Sequence, residues 1–119
     1  MEELKIIEGL LNLLKPYRVY PDDLPIKFDF KKGYGIYYVI DTIADGYYKD
    51  EYNLEIHLVG LDKIKLIEAT ESIHELVNKN HPTPFSWIIP KSVRRNHLKE
   101  EDGKDHYILE YYIKNYGGR

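Results

Sequence analysis

Five histidines are the side chains of this sequence best suited to metal binding or to acid–base catalysis, because imidazole titrates near neutral pH. They are His57, His74, His81, His97 and His106. No two of them form His-x-x-x-His, and none stands with carboxylates at a spacing typical of a metal site. His74 follows Glu71 by three residues, which is common for a surface pair on a helix. The spacing therefore predicts no metal centre and no bound cofactor.

Nucleophilic and phosphate-binding motifs give no stronger signal. The three serines, Ser72, Ser86 and Ser92, all lie outside a Gly-x-Ser-x-Gly elbow. Gly33-x-Gly35 lacks both the third glycine and the following helix of a phosphate-binding loop, and it resembles a flexible turn before a strand. The Glu100-Glu101 pair lies in a polar segment and is typical of surface charge. We therefore predict no catalytic residues, and we expect the protein not to be an enzyme.

A basic cluster near Trp87 leaves two interpretations open. It consists of Lys91, Arg94, Arg95, His97 and Lys99. Basic side chains beside an aromatic ring suit single-stranded nucleic acid. The acidic residues at 100–102 follow at once, however, and they favour a solvated loop with internal ion pairs. The net charge of −3 further indicates a protein without specific nucleic-acid binding.

Length and composition predict one domain spanning residues 1–119. The chain is 43% hydrophobic and 31% charged, which is enough apolar material for one core and enough charge for a solvated surface. It contains no cysteine, so disulfides and thiolate chemistry are excluded. No apolar stretch approaches the roughly 20 residues that a membrane-spanning helix needs, and we expect no membrane partner.

The first predicted helix covers residues 2–15 and ends at Pro16, which opposes its continuation. Its apolar line runs through Leu4, Ile7, Leu11 and Leu14, and other leucines and isoleucines widen the line into a face that suits packing on a sheet. Residues 17–33 are rich in turn signals, with a short strand predicted at Ile26–Phe30.

Alternating polar and apolar residues predict four further strands. Tyr34–Ile43 and a segment from about Glu51 to Val59 are expected to form an antiparallel pair. Phe85–Ile89 is a short apolar strand, and residues 106–113 form the last strand. We expect residues 90–105, which are polar, to be irregular.

A second helix is predicted over residues 62–79, with Asp62 as its N-cap. Its apolar stripe consists of Leu66, Ala69, Ile73, Leu76 and Val77. Ile64 and Ile67 fall outside this stripe. Two interpretations remain for them: local packing of the first helical turn, or an apolar spot at a subunit contact.

The order of these elements predicts an α+β fold. The economical arrangement is one mostly antiparallel sheet of four to five strands, with the two helices packed on one face. The opposite face then carries tyrosines and charged residues, and such a mixed surface often contacts a partner.

Taken together, the order and spacing of these segments resemble those of the tail terminator, or tail-completion, proteins of long-tailed bacteriophages, also described as minor capsid or head–tail joining proteins. The likeness covers nearly the whole chain through loose patterns. It includes Lys15-Pro16-Tyr17 at the end of the first helix, the Pro-rich segment at 20–25, the strand Tyr52–Val59 leading to the helix from Asp62, Arg94-Arg95, Glu101-Asp102 and Tyr111-Tyr112.

The resemblance implies a structural protein of the virion, found in the tail or neck and made in the host bacterial cytoplasm. Such proteins form a ring, usually a hexamer, on the end of a finished tail tube, where they stop tube polymerisation and present a surface to the head connector. Some are monomers before they meet the tail. The implied partners are therefore further copies of this chain, a tail tube protein and a head connector protein.

Interface residues follow from this expectation. Arg94, Arg95 and Lys99 are predicted to make polar contacts in the assembly, and Ile64 and Ile67 are predicted to form the apolar subunit contact. Two alternatives stay open. One is a head–tail connector or stopper protein of the same particle. The other is a small α+β ligand-binding domain or enzyme, which needs a concave pocket with convergent polar groups.

Overall fold

The computed structural model describes residues 2–45, 49–91, 96–100 and 102–116. These residues form two helices and six strands. In chain order the elements are α1 (Glu2–Leu13), β1 (Tyr20–Pro21), β2 (Gly35–Asp45), β3 (Lys49–Gly60), α2 (Lys63–Val77), β4 (Ser86–Pro90), β5 (Asn96–Lys99) and β6 (Asp105–Tyr116).

The strands form one sheet in the order β1-β2-β3-β6-β4, with β5 also paired to β6. Every pairing is antiparallel except that of β1 with β2. The predicted α+β class, with two helices and a mostly antiparallel sheet, is confirmed. The sheet has six strands rather than the four to five expected.

Two strands, β1 and β5, were not predicted, and β5 shows that the prediction of an irregular segment over 90–105 was wrong for residues 96–99. Both β4 and β5 pair with the same side of β6, first at Pro90↔Tyr111 and then at Asn96↔Ile108. Backbone pairing with β6 forms β5 even though its side chains are mostly polar, so hydrophobic alternation gives no sign of it.

The predicted strand at Ile26–Phe30 was also wrong, because turns occupy this segment. The backbone N–H of Phe28 donates to the carbonyl of Pro25, and the Asp29 carboxylate accepts from the N–H of Lys31. Proline and aspartate favour such local bonds over a ladder. The short strand instead lies at β1, parallel to the start of β2.

The hydrophobic core lies between the helices and one face of the sheet, here called the helix-side face. Alternate residues of β2, β3 and β6 point into it, and both helices contribute side chains to the same cluster. The fully buried members include Leu54, Ile56, Leu58, Ile88 and Ile113. The intervening residues of each strand lie on the opposite face, here called the outer face.

Helix α1 buries a different line from the one predicted: Leu4 and Leu11, which were placed on that line, are 53% and 38% exposed. The buried side chains are instead Ile6 and Leu10, together with Leu14 just after the helix, and each is at most 1% exposed. One reason is the close approach of another segment at Gly9, where an added Cβ would lie 1.8 Å from the carbonyl oxygen of Pro82. Contact is therefore centred on the Ile6–Leu10 side of the helix.

Helix α2 follows its prediction closely. The Asp62 side chain accepts hydrogen bonds from the backbone N–H groups of Ile64 and Lys65, which confirms it as the N-cap. Leu66, Ala69, Ile73 and Val77 are buried, and Leu76 is partly buried against the core.

Candidate functional site

Two histidines from neighbouring strands form a buried pair on the outer face. Nδ1 of His57 on β3 lies 2.7 Å from Nε2 of His106 on β6. The register places His57 opposite Ile108, so His106 is its diagonal neighbour. Each histidine is only 8% exposed. The pair is therefore fixed by strand register and shielded from bulk water.

A glutamate lies at each end of this pair. Glu55, two residues before His57 on the same face of β3, places Oε1 2.9 Å from Nε2 of His57. Glu100, which follows β5, places Oε1 2.8 Å from Nδ1 of His106. The four side chains form a continuous hydrogen-bonded row, Glu55–His57–His106–Glu100, which we call the outer-face chain.

Tyr37 covers the outer-face chain from β2. Its ring stacks on the imidazole of His57, with centroids 4.4 Å apart and planes 9° from parallel. Burial raises the pKa of the Tyr37 hydroxyl, and the negative charges of Asp23, Glu100 and Glu55 raise it further. Burial also lowers the pKa of His57, although its hydrogen bond to Glu55 acts in the opposite direction.

A cleft of about 640 Å³ opens beside this chain. Its polar lining converges from the 22–33 loop, from the strands and from the turn between β5 and β6: Asp23, Tyr37, Glu100, Asp102, Lys104 and His106. Lys104 is held in place by a 2.6 Å ion pair with Asp102 and by the face of the Phe30 ring. A cleft with this lining fits a small polar ligand.

A second polar group lies on the helix-side face, at the end of the sheet where α2 begins. Nε2 of His97 is 2.8 Å from the nearly buried carboxylate of Asp105, and Nζ of Lys99 is 3.6 Å from it. The hydrogen bond from His97 lowers the pKa of Asp105, while burial opposes this shift and the charges of Lys99, His97 and Lys63 favour it.

The predicted interface residues occupy different environments. Ile64 is 69% exposed, whereas Ile67 is partly buried against the core. Lys99 lies at the same end of the sheet as the start of α2 and is bound to Asp105. Arg94 and Arg95 lie outside the described residues. The structure thus brings Ile64 and Lys99 to one end of the molecule and separates the roles of the two isoleucines.

His74 differs from the surface residue that its spacing from Glu71 suggests. It is partly buried, and its Nδ1 lies 2.7 Å from the hydroxyl of Tyr111 on β6. This bond links α2 to the sheet within the core and satisfies a buried hydroxyl. His74 therefore has a structural role.

An exposed aromatic cluster lies at the far end of the outer face. It consists of Phe85, Trp87, Tyr112 and Tyr116, each between 37% and 64% exposed, and we call it the aromatic patch. Trp87 pairs with Lys114, between Tyr112 and Tyr116 on β6, and the N–H of Tyr116 donates to the carbonyl of Phe85. The aromatic patch is thus one continuous surface.

A second exposed apolar surface lies at the start of α2. Leu61 and Ile64 are both more than half exposed, and they form what we call the α2-entry patch. They border a cleft of about 620 Å³ that also contains Lys31, Lys32, Lys63 and Lys65. The α2-entry patch is therefore apolar at its centre and basic at its rim.

The comparisons with known proteins found no matching family model and no matching curated sequence. Neither helix within the described ranges is long and apolar enough to span a membrane. Among these same residues, no three or more His, Asp or Glu side chains are grouped so that they could hold a metal ion.

Sequence reasoning missed the outer-face chain, although part of its signal was present. Glu55 and His57 alternate with the buried Leu54, Ile56 and Leu58, so their common face was predictable. Their partners depend on the register between β3 and β6, and on a turn that follows β5. Neither of these is encoded in a local pattern.

Proposed function

We propose that this protein is a structural assembly protein of a phage or prophage virion, which forms a ring on the tail tube, stops its polymerisation and provides the head-joining surface. The resemblance of segment order supports this role. The observation that carries it is the presence of two separate exposed apolar surfaces, the aromatic patch and the α2-entry patch.

The positions of the two patches suit a head-to-tail ring. Trp87 lies in register with Lys114 and so with Glu51, near the start of β3, whereas Leu61 follows the end of β3. At about 3.3 Å per residue the two patches are roughly 30 Å apart along this strand. A ring built from one repeated contact requires two different surfaces on each copy.

The two patches are also complementary in chemistry. The aromatic patch offers the Trp87 and Tyr116 rings, whose faces attract cations, while Lys91 of the same chain already lies 4.8 Å from the centre of the Tyr112 ring. The α2-entry patch offers apolar side chains flanked by Lys63 and Lys65. In such a contact the stem of Lys63 or Lys65 covers an aromatic ring of the second copy, and Ile64 packs beside that ring. Apolar area is then buried while the ammonium group stays in water. We therefore assign the partner of each patch to the other patch of a second copy.

The role at the tail is tested by co-sedimentation. Tubes assembled from the tube protein of the same genome are incubated with the purified chain, in parallel with portal complexes. Binding to tube ends, with an arrest of tube growth, supports a tail terminator. Binding to portal complexes alone would assign the chain to the connector or stopper proteins, the first alternative.

The cleft beside the outer-face chain favours a second candidate function, that of a small-ligand-binding domain. It has the concave shape and the convergent polar groups that such a function requires. A screen of small polar metabolites by ligand-observed NMR tests it. Binding that is lost in Asp23→Asn and retained in Glu68→Gln, on the far side of the sheet, would support this function.

A further inference from the structure

The three contacts of the outer-face chain require three N–H donors, whereas two neutral imidazoles supply only two. We propose that His57 and His106 together hold one proton more than two neutral imidazoles, and that this proton fastens the turn between β5 and β6 to the sheet. The proposal rests on the geometry of the outer-face chain and is independent of the proposed assembly function.

The proton count follows from the contacts. An ionised carboxylate only accepts, so the bond to Glu55 requires a proton on Nε2 of His57, and the bond to Glu100 requires one on Nδ1 of His106. The 2.7 Å contact between the rings requires a third proton, on one of the two facing nitrogens. Two neutral imidazoles supply only two protons, so the pair carries a single positive charge.

The position of the extra proton follows from the surroundings of the rings. Burial lowers the pKa of His57, which favours its neutral form. Neutral His57 with its proton on Nε2 donates to Glu55 and accepts at Nδ1. His106 is then the charged ring, and it donates from Nε2 to His57 and from Nδ1 to Glu100. Every ring nitrogen is satisfied in this arrangement.

Charged and titratable groups face the pair from each surrounding element. Asp23 approaches from the 22–33 loop, Tyr37 from β2 and Glu55 from β3. Glu100, Asp102 and Lys104 belong to the turn between β5 and β6. Asp102 and Lys104 neutralise each other in an ion pair. The remaining carboxylates favour one positive charge on the pair, whereas a second would place two charged rings 4.9 Å apart.

The extra proton acts as a fastener because Glu100 also organises the turn. Its N–H donates to the carbonyl of Lys104, and its carbonyl accepts from the N–H of Gly103. If the proton is lost, one contact of the outer-face chain pairs two lone pairs and opens. If a second proton is added, two N–H groups face each other across 2.7 Å. A second proton opens the contact between the two rings and leaves the bond from His106 to Glu100 in place, whereas loss of the extra proton releases the turn when the contact that opens is the one to Glu100.

The decisive measurement is the protonation state of both rings, read from imidazole nitrogen chemical shifts by NMR between pH 5 and 9. At pH 7 we expect one charged ring and one neutral ring, with Nε2 of His57 and Nδ1 of His106 both protonated. Two neutral rings or two charged rings at pH 7 would overturn the proposal. His81 is exposed and is not part of the outer-face chain, so its ring serves as the internal reference.

A variant and an exchange measurement test the fastening itself. Glu100→Gln removes the acceptor charge, so the pair should lose its extra proton at lower pH than in the parent protein, while Glu68→Gln leaves the titration unchanged. In the parent protein, amide exchange protection at Glu100 and Gly103 should fall as the pair loses the proton. Protection that stays constant through this titration would contradict the fastening role.

Discussion

Nδ1 of His57 and Nε2 of His106 lie 2.7 Å apart, although 49 positions separate the two residues in the chain. The antiparallel register of β3 and β6 makes them diagonal neighbours, and Tyr37 on β2 stacks over His57. Because the two histidines are buried, their protonation is linked to the free energy of unfolding.

The first prediction concerns the pH dependence of folding. The unfolded chain takes up a proton at His57 near its ordinary pKa of about 6.5, whereas burial lowers the pKa of His57 in the folded state. Between these two values the unfolded state binds more protons, so the free energy of unfolding should fall as pH falls below about 6.5. Urea denaturation between pH 5 and 7.5 measures this dependence.

The matched variants for this experiment are His57→Gln and His81→Gln. The fall in stability with pH should be smaller in His57→Gln and unchanged in His81→Gln, because His81 is exposed and is not part of the outer-face chain. Equal pH dependence in all three proteins would show that His57 does not carry the effect.

A second prediction concerns acid sensitivity at Asp105. Its pKa is lowered first by the hydrogen bond from His97, so the folded state holds the ionised carboxylate to lower pH than the unfolded state does. This contribution is present above the ordinary value of about 3.9 and is lost as pH falls further. Denaturation followed by circular dichroism between pH 2 and 5 measures this contribution. The free energy of unfolding should fall less over this pH range in His97→Gln than in the parent protein. The same acid dependence in His97→Gln and in the parent protein would show that His97 does not lower the pKa of Asp105.

A third prediction is that replacing Gly9 of α1 by alanine destabilises the protein, although this substitution normally stabilises a helix. Replacing glycine by alanine in a helix interior normally stabilises by about 1 kcal/mol. At Gly9 the new Cβ would lie 1.8 Å from the carbonyl oxygen of Pro82, which is backbone and cannot rotate away. Gly9→Ala should therefore destabilise by about 1–3 kcal/mol. Chemical denaturation tests the sign, with Glu8→Ala on the exposed side of α1 as the control; a stabilised Gly9→Ala would show that this contact is absent.

A fourth prediction separates the two isoleucines of α2. Ile67→Asp places a charge against the core and should lower the free energy of unfolding by about 1–3 kcal/mol. Ile64→Asp changes an exposed side chain and should alter stability by no more than about 0.5 kcal/mol. Equal losses in the two variants would contradict the burial difference between them. Only Ile64→Asp is therefore a clean probe of the α2-entry patch.

The sequence is informative where a local period coincides with a buried face. Alternation in β3 and β6, and the capped stripe of α2, predicted these elements and most of their buried residues. Sequence patterns are uninformative where long-range backbone pairing decides the structure. At β5, polar residues form a strand only because β6 supplies a partner. At Ile26–Phe30 the apolar residues suggested a strand, but the turn preferences of Pro25 and Asp29 prevailed.

The candidate site shows the same division. The sequence placed both Ile64 and Ile67 outside the α2 stripe and left local packing and exposure open for each, whereas the structure exposes Ile64 and partly buries Ile67. The aromatic patch combines residues from β4 and β6 whose proximity depends on their register. The outer-face chain requires three separate segments, so no single pattern in the sequence reveals it.

The most direct test of the two-surface proposal uses two variants that each damage one patch. Trp87→Asp alters the aromatic patch, Ile64→Asp alters the α2-entry patch, and Ile26→Asp, at an exposed loop position, is the control. A head-to-tail contact predicts that each patch variant fails to self-associate, whereas the control associates like the parent protein. An equal mixture of the two patch variants still contains one intact contact between unlike copies.

Sedimentation equilibrium of this mixture, over a series of rising protein concentrations, gives the result. Dimers that form only in the mixture, beside larger assemblies of the parent protein, are the expected outcome. A parent protein that remains monomeric at every concentration, or a mixture that remains monomeric while the parent associates, would contradict the pairing of the two patches.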